Sequence, residues 1–553
     1  MSPLSLSVLA APAVITEPPE IDYGLLSPML VVFAVGVIGV AVEAFAPKDK
    51  RRIVQLWLAG LGLLAAFVLT VLQVGAVTGP EAGVAIAFGT VMVDGPALFF
   101  QGTILVLALV SLLLIAEHRD GESAFAAQAA TVPGSGEEAE HRLAGSQHTE
   151  VYPLVMFAVL GMQLFVSAGD FLTMFIALEV MSLPLYLLCG LARTRRLFSQ
   201  EAALKYFLLG AFSSAFFLFG IAMVYGYAGS VQFGAVHEAI GAGGAGTIEN
   251  GEPLLLIGIA LIAVGLLFKV GAVPFHNWKP DVYQGAPTPI TALMASCTLV
   301  AAFGALLRVF YVAFGGAVWE WRPMMWVVAI LTMVVAAAIA VTQRDVKRLL
   351  AYSSVVHAGF ILTAVVAASP EGLAGAMFYL AAYGFTTIGA FAVVTLVRAR
   401  EGGGEAGELA QWAGLGRTSP FLACSLALFL LAFAGIPLTS GFIGKFAVFE
   451  AAVAAGATPL VIVGVLSSAV TAFFYVRIIV LMFFADPAES APKVLKPGAL
   501  TGTAIIVGVA ATLILGVFPG PVLDNLVPQP VPEAVNGTQP AEAGMVPGDM
   551  FVR

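Results

Sequence analysis

Gly265-Leu-Leu-Phe-Lys269-Val-Gly271-Ala-Val-Pro274-Phe-His-Asn-Trp-Lys279-Pro-Asp281-Val-Tyr-Gln-Gly285-Ala-Pro287 joins the end of one long apolar run, 253–273, to the start of another, 284–314. Crossing the hydrocarbon core of a bilayer takes about 17–25 helical residues, and each run meets that length. Glycine and proline interrupt a helix, one by its conformational freedom and the other by its missing N–H. Here they follow directly on a lysine at the end of an apolar run. A charged side chain beside a broken membrane helix points to an ion path rather than to a simple anchor.

The same reading extends over the whole chain. Its 553 residues are 60% hydrophobic and 11% charged, with a mean hydropathy of +0.97. A soluble domain carries about a quarter charged residues, so lipid is the solvent of this chain. Fourteen apolar runs are long enough to span: 26–46, 53–74, 96–117, 150–168, 170–193, 200–228, 253–273, 284–314, 322–341, 345–368, 371–398, 418–455, 459–485 and 498–518. Lipid cannot satisfy exposed backbone amides, so these runs must be helices. The expected fold is an all-α polytopic membrane protein of about fourteen transmembrane helices.

Alternate loops carry eighteen basic residues, among them Lys48 to Arg52, Arg193 to Arg196, Lys279, Arg344 to Arg348 and Arg398. The opposite loops carry only Arg322 and Arg553. The positive-inside rule makes the first set cytoplasmic and turns both termini outward, multi-pass in a bacterial inner membrane. The N-terminus lacks the basic n-region of a signal peptide, so 1–25 reads as an exposed lead-in. Residues 118–149 form an acidic cytoplasmic loop, whose histidines are spaced too loosely for a metal site. The Pro/Gly/Ala-rich tail after Pro519 reads as flexible. The net charge of −9 comes with no basic face, so no nucleic-acid partner is expected. Cys189, Cys297 and Cys424 stand singly in apolar runs and read as buried thiols without a metal or cluster.

A weak internal repeat relates the stretch from Tyr206 to that from Tyr379, a shift of 173 residues that brings Lys269 close to Lys445. Both lysines adjoin Gly/Pro interruptions, 271–274 and 435–444. The organisation expected is a three-helix N-terminal part with its loop (1–149), two inverted five-helix repeats with broken helices (150–314 and 322–485), a final helix (498–518) and a tail (519–553).

Beyond the basic residues counted with the loops, five fall within the spans: Lys205, Lys269, Arg308, Lys445 and Arg477. Glu179 is the clear acid among them. An ionised group at mid-bilayer costs about 2.5–3.5 kcal/mol or more, so such groups pair, meet water or do work. Glu179, Lys205 and Lys269 lie on successive helices. They supply either a switch, in which the carboxylate loads and unloads a lysine with protons, or a static Glu179–Lys205 ion pair. His357, with Ser353 and Ser354 one turn away, is either a proton relay or a hydrogen-bonded core histidine. Arg308, Lys347, Arg348 and Arg477 read as side chains that reach the interface.

The run from Lys269 to Ala295 closely resembles the signature of the antiporter-like membrane subunits of respiratory complex I, the proton-translocating NADH-quinone oxidoreductase. Its form Pro280-Asp-Val-Tyr-Gln-Gly-Ala-Pro287-Thr-Pro is similar to the N-type branch rather than to the L- and M-type branches. Leu178-Glu179-Val-Met-Ser-Leu-Pro-Leu-Tyr186, Asp345-Val-Lys-Arg to His357, and Gly435-Ile-Pro-Leu-Thr-Ser-Gly-Phe-Ile-Gly-Lys445 agree with it, and the likeness covers about 20–520. The resemblance implies a proton-translocating module that works with other membrane-arm and peripheral subunits. FMN, iron–sulfur clusters and quinone then belong to those other subunits, and this chain holds none. It also implies Glu179, Lys205, Lys269 and Lys445 as proton-transfer groups, with uptake toward Lys269 and release by way of Lys445. A related alternative is a cation/proton antiporter complex with no redox partner. One departure stands out. The family's eighth-helix lysine is replaced by Leu299, and water held by Ser296 and Thr298, with His357 beyond, is the expected substitute route.

Overall fold

The computed structural model describes residues 21–77, 83–118, 123–126, 132, 135–137, 140, 148–244, 251–399, 404–487 and 492–526. Most of the expected lead-in, most of the acidic 118–149 loop with His141, and the tail from 527 onward lie outside these residues.

Among the described residues, twelve helices are long and apolar enough to cross a membrane, and two shorter apolar helices, Val151–Ser167 and Pro420–Ala434, accompany them. The architecture runs α1 (Tyr23–Phe45), α2 (Lys48–Val77), a β1–β2 hairpin (Val84–Ile86, Val91–Val93), α3 (Gly95–Ala116), α4 (Val151–Ser167), α5 (Phe171–Cys189), α6 (Arg196–Ala228) and the short α7 (Phe233–Gly241). It continues with α8 (Glu252–Val270), the half-helix α9 (Trp278–Gly285), α10 (Thr288–Ala313), α11 (Val318–Thr342), α12 (Val346–Ala367) and α13 (Pro370–Val394). The chain then forms α14 (Pro420–Ala434), α15 (Ser440–Ala454), α16 (Thr458–Phe484), α17 (Ala499–Val517) and a short α18 (Gly520–Leu526).

Side-chain caps set several helix starts. The carboxylates of Asp22, Asp94, Asp170 and Asp345 accept the N–H three residues on, as does the Ser369 hydroxyl. The positions of α10, α12 and α13 explain where chemistry can hide. The spans α10 and α12 are wholly buried, and α13 nearly so, whereas α1, α2, α16 and α17 have only about a third of theirs buried. Exposed Phe207, Phe212, Ile462 and Phe473 on the outer helices suit contact with lipid chains.

Loops rich in basic residues gather at one end. Ala126 N–H donates to Leu191 C=O and Arg193 N–H to Ala124 C=O. Arg398 and Lys493 are register partners in the antiparallel pair β3–β4 (Val397–Arg398, Lys493–Val494).

Several expectations change here. The run 418–455 is two helices, α14 and α15, separated at 435–439, so Gly444 lies inside a helix rather than in the break. The stretch after Gly271 is not a cytoplasmic loop: it winds into α9, and Lys279 is 1% exposed. Its low hydropathy hides this helix, because Lys279, Asp281 and Gln284 find partners inside the protein. Cys424 is exposed on α14, not buried. Residues 520–526, expected as part of a flexible tail, form α18.

Candidate functional site

Two helices end on glycines with nearly identical geometry. Gly271 closes α8 at φ +79° and Gly435 closes α14 at φ +80°, the left-handed conformation that glycine adopts without strain. Each helix end presents carbonyls that the regular helix ladder no longer satisfies. At the first break, Phe268 C=O accepts from Trp278 Nε1 at 2.9 Å and Val270 C=O from Lys279 Nζ at 3.0 Å. At the second, Lys445 Nζ donates to Phe433 C=O at 2.8 Å, to Ala434 C=O at 3.0 Å and to Ser468 Oγ at 2.8 Å. A helix C-terminus carries partial negative charge, so it is a natural seat for an ammonium.

Lys269 is buried in the last turn of α8. Its Nζ lies over the Tyr186 ring at 5.6 Å and the Tyr206 ring at 5.2 Å, a cation–π setting that partly replaces water. Tyr206 stacks on Trp278, with centroids 4.7 Å apart and planes 10° apart, which ties this cage to the half-helix α9. Glu179 on α5 acts electrostatically on both Lys269 and Tyr186, and its Oε1 is buried without a protein hydrogen bond.

Lys205 departs from expectation. It pairs with Glu201 at 2.7 Å and Asp281 at 2.6 Å, and its side chain is 41% exposed. The static pair with Glu179 is therefore not formed. Lys205 sits only nine residues into the long α6, about 14 Å along its axis, level with the acid of the half-helix.

His357 on α12 is 2% exposed. Its Nδ1 meets the Tyr379 hydroxyl at 2.7 Å and its Nε2 the Tyr475 hydroxyl at 3.3 Å. Tyr475 also bonds Ser353 Oγ. The Phe433 ring packs on the imidazole at 5.5 Å, while the Phe433 carbonyl holds Lys445. A cavity of ≈ 10 Å³ adjoins His357, Tyr379 and Tyr383, about the room one water needs. Histidine and second-break lysine thus share one cluster, where two tyrosine hydroxyls can exchange protons with the imidazole.

Leu299 is buried and follows a π-helical turn, Met294–Thr298, inside the span. Ser296 donates to its own helix at Ala292 C=O, whereas Thr298 Oγ1 is buried with no protein partner. Of the expected pair, only Thr298 keeps a hydroxyl free for water.

Other reaches to the interface also fail. Arg308 pairs with Asp94, deep in the protein. Lys347 is 3% exposed and donates to Ala286 C=O at 2.9 Å and Thr288 Oγ1 at 3.2 Å. Arg348 reaches Asp281 at 2.6 Å and Gln284 Oε1 at 3.1 Å. From α12, Arg348 clamps α9 and Lys347 holds the junction between α9 and α10. Sequence reading missed Asp281, Asp94 and the tyrosines. It took Lys279 for a loop residue, although a glycine break followed eight or ten residues later by lysine recurs in 271–279 and 435–445. A cleft of ≈ 300 Å³ lined by Arg193, Lys347, Arg398, Glu405 and Lys493 opens beside this clamp. Among the described residues, no group of three or more His, Cys, Asp or Glu side chains is arranged to hold a metal ion.

Comparison with known proteins adds three findings. Residues 168–471 match the family model described as NADH:quinone oxidoreductase/Mrp antiporter, TM. The chain is 78% identical over 533 residues to "NADH-quinone oxidoreductase subunit N" of Thermobifida fusca, covering 96% of this chain and 97% of that one, and 59% identical over 514 residues to the protein of the same name from a Parafrankia species, covering 92% and 94%. In fold it is similar to a chain of respiratory complex I from Thermus thermophilus with bound aureothin (TM-score 0.71, 32% identity, covering 90% of this chain and 99% of that one). It is also similar to a chain of the Mrp complex from Dietzia sp. DQ12-45-1b (TM-score 0.76, covering 92% and 96%), a likeness of fold alone at 22% identity.

Proposed function

The chain belongs to the NADH:quinone oxidoreductase/Mrp antiporter transmembrane family, and on that premise we propose that it is a proton-translocating membrane-arm subunit of an NADH-quinone oxidoreductase. Its partners are the other membrane-arm and peripheral subunits. Electron transfer from NADH to quinone takes place in those subunits, which carry the flavin, the iron–sulfur clusters and the quinone site. This chain contributes proton movement.

The observation that carries the reading is the file of titratable groups inside the bundle: half-buried Glu179 with buried Lys269 at the first break, and buried His357 with Lys445 at the second. A lysine in a low-dielectric site holds its proton only while a nearby negative charge favours the ammonium. A shift of the Glu179 carboxylate relative to Lys269 loads or unloads that lysine. Lys445 passes its proton on when the charge at the first break changes. Lys205, paired with Asp281, stands at the entrance, and the basic cleft opens beside the Lys347 end of the clamp. Under the positive-inside rule that cleft faces the cytoplasm of a bacterial inner membrane and both termini face outward. The breaks at Gly271 and Gly435 support two related halves, 150–314 and 322–485.

Purifying the complex through a tag on this chain tests the assignment. Flavin- and iron–sulfur-containing subunits are expected to co-purify, and Lys445→Ala and Glu179→Ala are each expected to lower the proton-to-electron ratio in proteoliposomes. Recovery with other membrane subunits alone, free of flavin and iron, would favour a cation/proton antiporter complex. Unchanged pumping in both variants would overturn the proton role.

A further inference from the structure

Lys279 and Lys445 occupy mirrored seats. Each lies on the half-helix after a break, and each Nζ donates at 3.0 Å to the carbonyl of the residue just before the left-handed glycine, Val270 or Ala434. A methyl group added to Gly271 would meet Lys279 Cδ at 2.7 Å and Nζ at 3.2 Å. One added to Gly435 would meet Lys445 Cδ at 2.9 Å and Nζ at 3.2 Å. Each ammonium also faces an aromatic ring, Tyr283 at 5.8 Å and Phe360 at 4.8 Å. The sequence repeat matched Lys269 with Lys445, but in space the counterpart of Lys445 is Lys279.

We propose that Lys279 is a proton-carrying residue of this subunit and bridges the two halves where Leu299 leaves the axis without a titratable group. This rests on the proton-translocating function proposed above. A lysine at 1% exposure whose ammonium is held by a carbonyl, with no acidic partner within ion-pair distance among the described residues, is expensive to keep, and a static clamp does not need one. Its surroundings suit transfer. Lys279 is bonded to the carbonyl next to Lys269, and its electrostatic influence reaches His357, as does that of Lys445. Between them stand Tyr283 and Tyr383, which act electrostatically on one another, and Ser354, whose Oγ is buried without a protein hydrogen bond and so is open to a bridging water. In the transfer, Lys269 loses one Nζ proton to a bridging water and that water gives one of its protons to the neutral Lys279 amine. One N–H bond breaks and one forms, so the pair keeps its net charge. Lys279 then discharges through the hydroxyl and imidazole groups toward Lys445.

The test uses the whole complex in proteoliposomes, with proton-to-electron ratio as readout and NADH oxidation by an artificial acceptor as the assembly control. Lys279→Met is expected to lower the ratio by the same fraction as Lys445→Met. Lys279→Arg keeps a positive charge and the carbonyl hydrogen bond but does not release a proton, so it is expected to show the same loss. Leu299→Lys added to Lys279→Met is expected to restore at least half of it. A normal ratio in Lys279→Arg would overturn the proposal, because charge alone would then suffice, and this variant decides the question if Lys279→Met does not assemble. A double variant no better than Lys279→Met would also overturn it. Normal pumping in Lys279→Met with a deficit in Lys445→Met would sink this inference and leave the function standing. Normal pumping in both would remove the function and the inference with it.

Discussion

Arg308 and Asp94 are joined by two hydrogen bonds, Nη1 to Oδ2 at 2.8 Å and Nη2 to Oδ1 at 2.7 Å, with both side chains almost wholly buried. This fork ties α10 to the start of α3, where Asp94 also caps the helix through Ala97 N–H. Arg308 Nε adds a bond to Val166 C=O at 2.8 Å, which brings in α4. Removing one partner of such a pair leaves a buried charge without compensation, at a cost of about 3–5 kcal/mol. Asp94→Ala is therefore expected to lower the melting temperature in detergent and the yield of assembled complex. Arg308→Lys, which cannot form the fork, should lie between it and the parent chain. A melting temperature unchanged in Asp94→Ala would contradict the pair's structural weight.

How far the sequence could be read depends on which partners a side chain needs. Lipid-facing helices declare themselves by hydropathy alone, and all the expected spans fall on helical segments. Lys269, Lys445 and His357 stand in apolar surroundings, so they too were visible. Lys279 and Asp281 were not, because a half-helix filled with paired polar groups has the composition of a loop. Arg308 looked like a boundary residue because its acid lies 214 residues away. Glu179 and Lys205 were close enough in sequence to suggest a pair, but Asp281, from the α9 half-helix after the break, takes the lysine instead.

Asp281 joins Lys205 at 2.6 Å and Arg348 at 2.6 Å, so one carboxylate fastens α9 to both α6 and α12. Lys205 is partly exposed and also holds Glu201, and exposed pairs contribute about 0–1 kcal/mol. Lys205→Ala is thus expected to weaken pumping mildly. Asp281→Asn frees two cations and loosens the half-helix that carries Lys279, so its loss should be the larger. Proton-to-electron ratios of the two variants, each corrected for assembly, give the comparison. A larger loss in Lys205→Ala would contradict the clamp.

Glu405 lies in the loop before α14, 13% exposed, and accepts from Thr288 Oγ1 at 2.9 Å beside Arg398 at 3.5 Å. Burial alone would raise its carboxyl, but the charges of Lys347 and Arg398, with the Thr288 hydroxyl, bring it below the ordinary value of 4.5. A depressed folded-state value means that the ionised group stabilises the fold above the unfolded value, and that this contribution is lost as pH falls through the folded one. Glu405→Gln should therefore melt earlier than the parent at pH 7. The gap should narrow only below about pH 4.5. A gap that is constant from pH 7 to pH 3 would show that packing, not charge, is what the carboxylate supplies.

His357 is held from both ring nitrogens, by Tyr379 and Tyr475, and packs against the residue whose carbonyl seats Lys445. Were its role only to fill space, His357→Gln would keep a polar side chain in the pocket and pumping would stay normal. As a relay it must take and give a proton, which an amide does not do at physiological pH. His357→Gln and His357→Ala are expected to lower the proton-to-electron ratio alike, while Tyr379→Phe, which leaves Tyr475 in place, costs less. Equal assembly of all three, checked by artificial-acceptor turnover, separates transfer from folding. Normal pumping in His357→Gln would end the relay assignment.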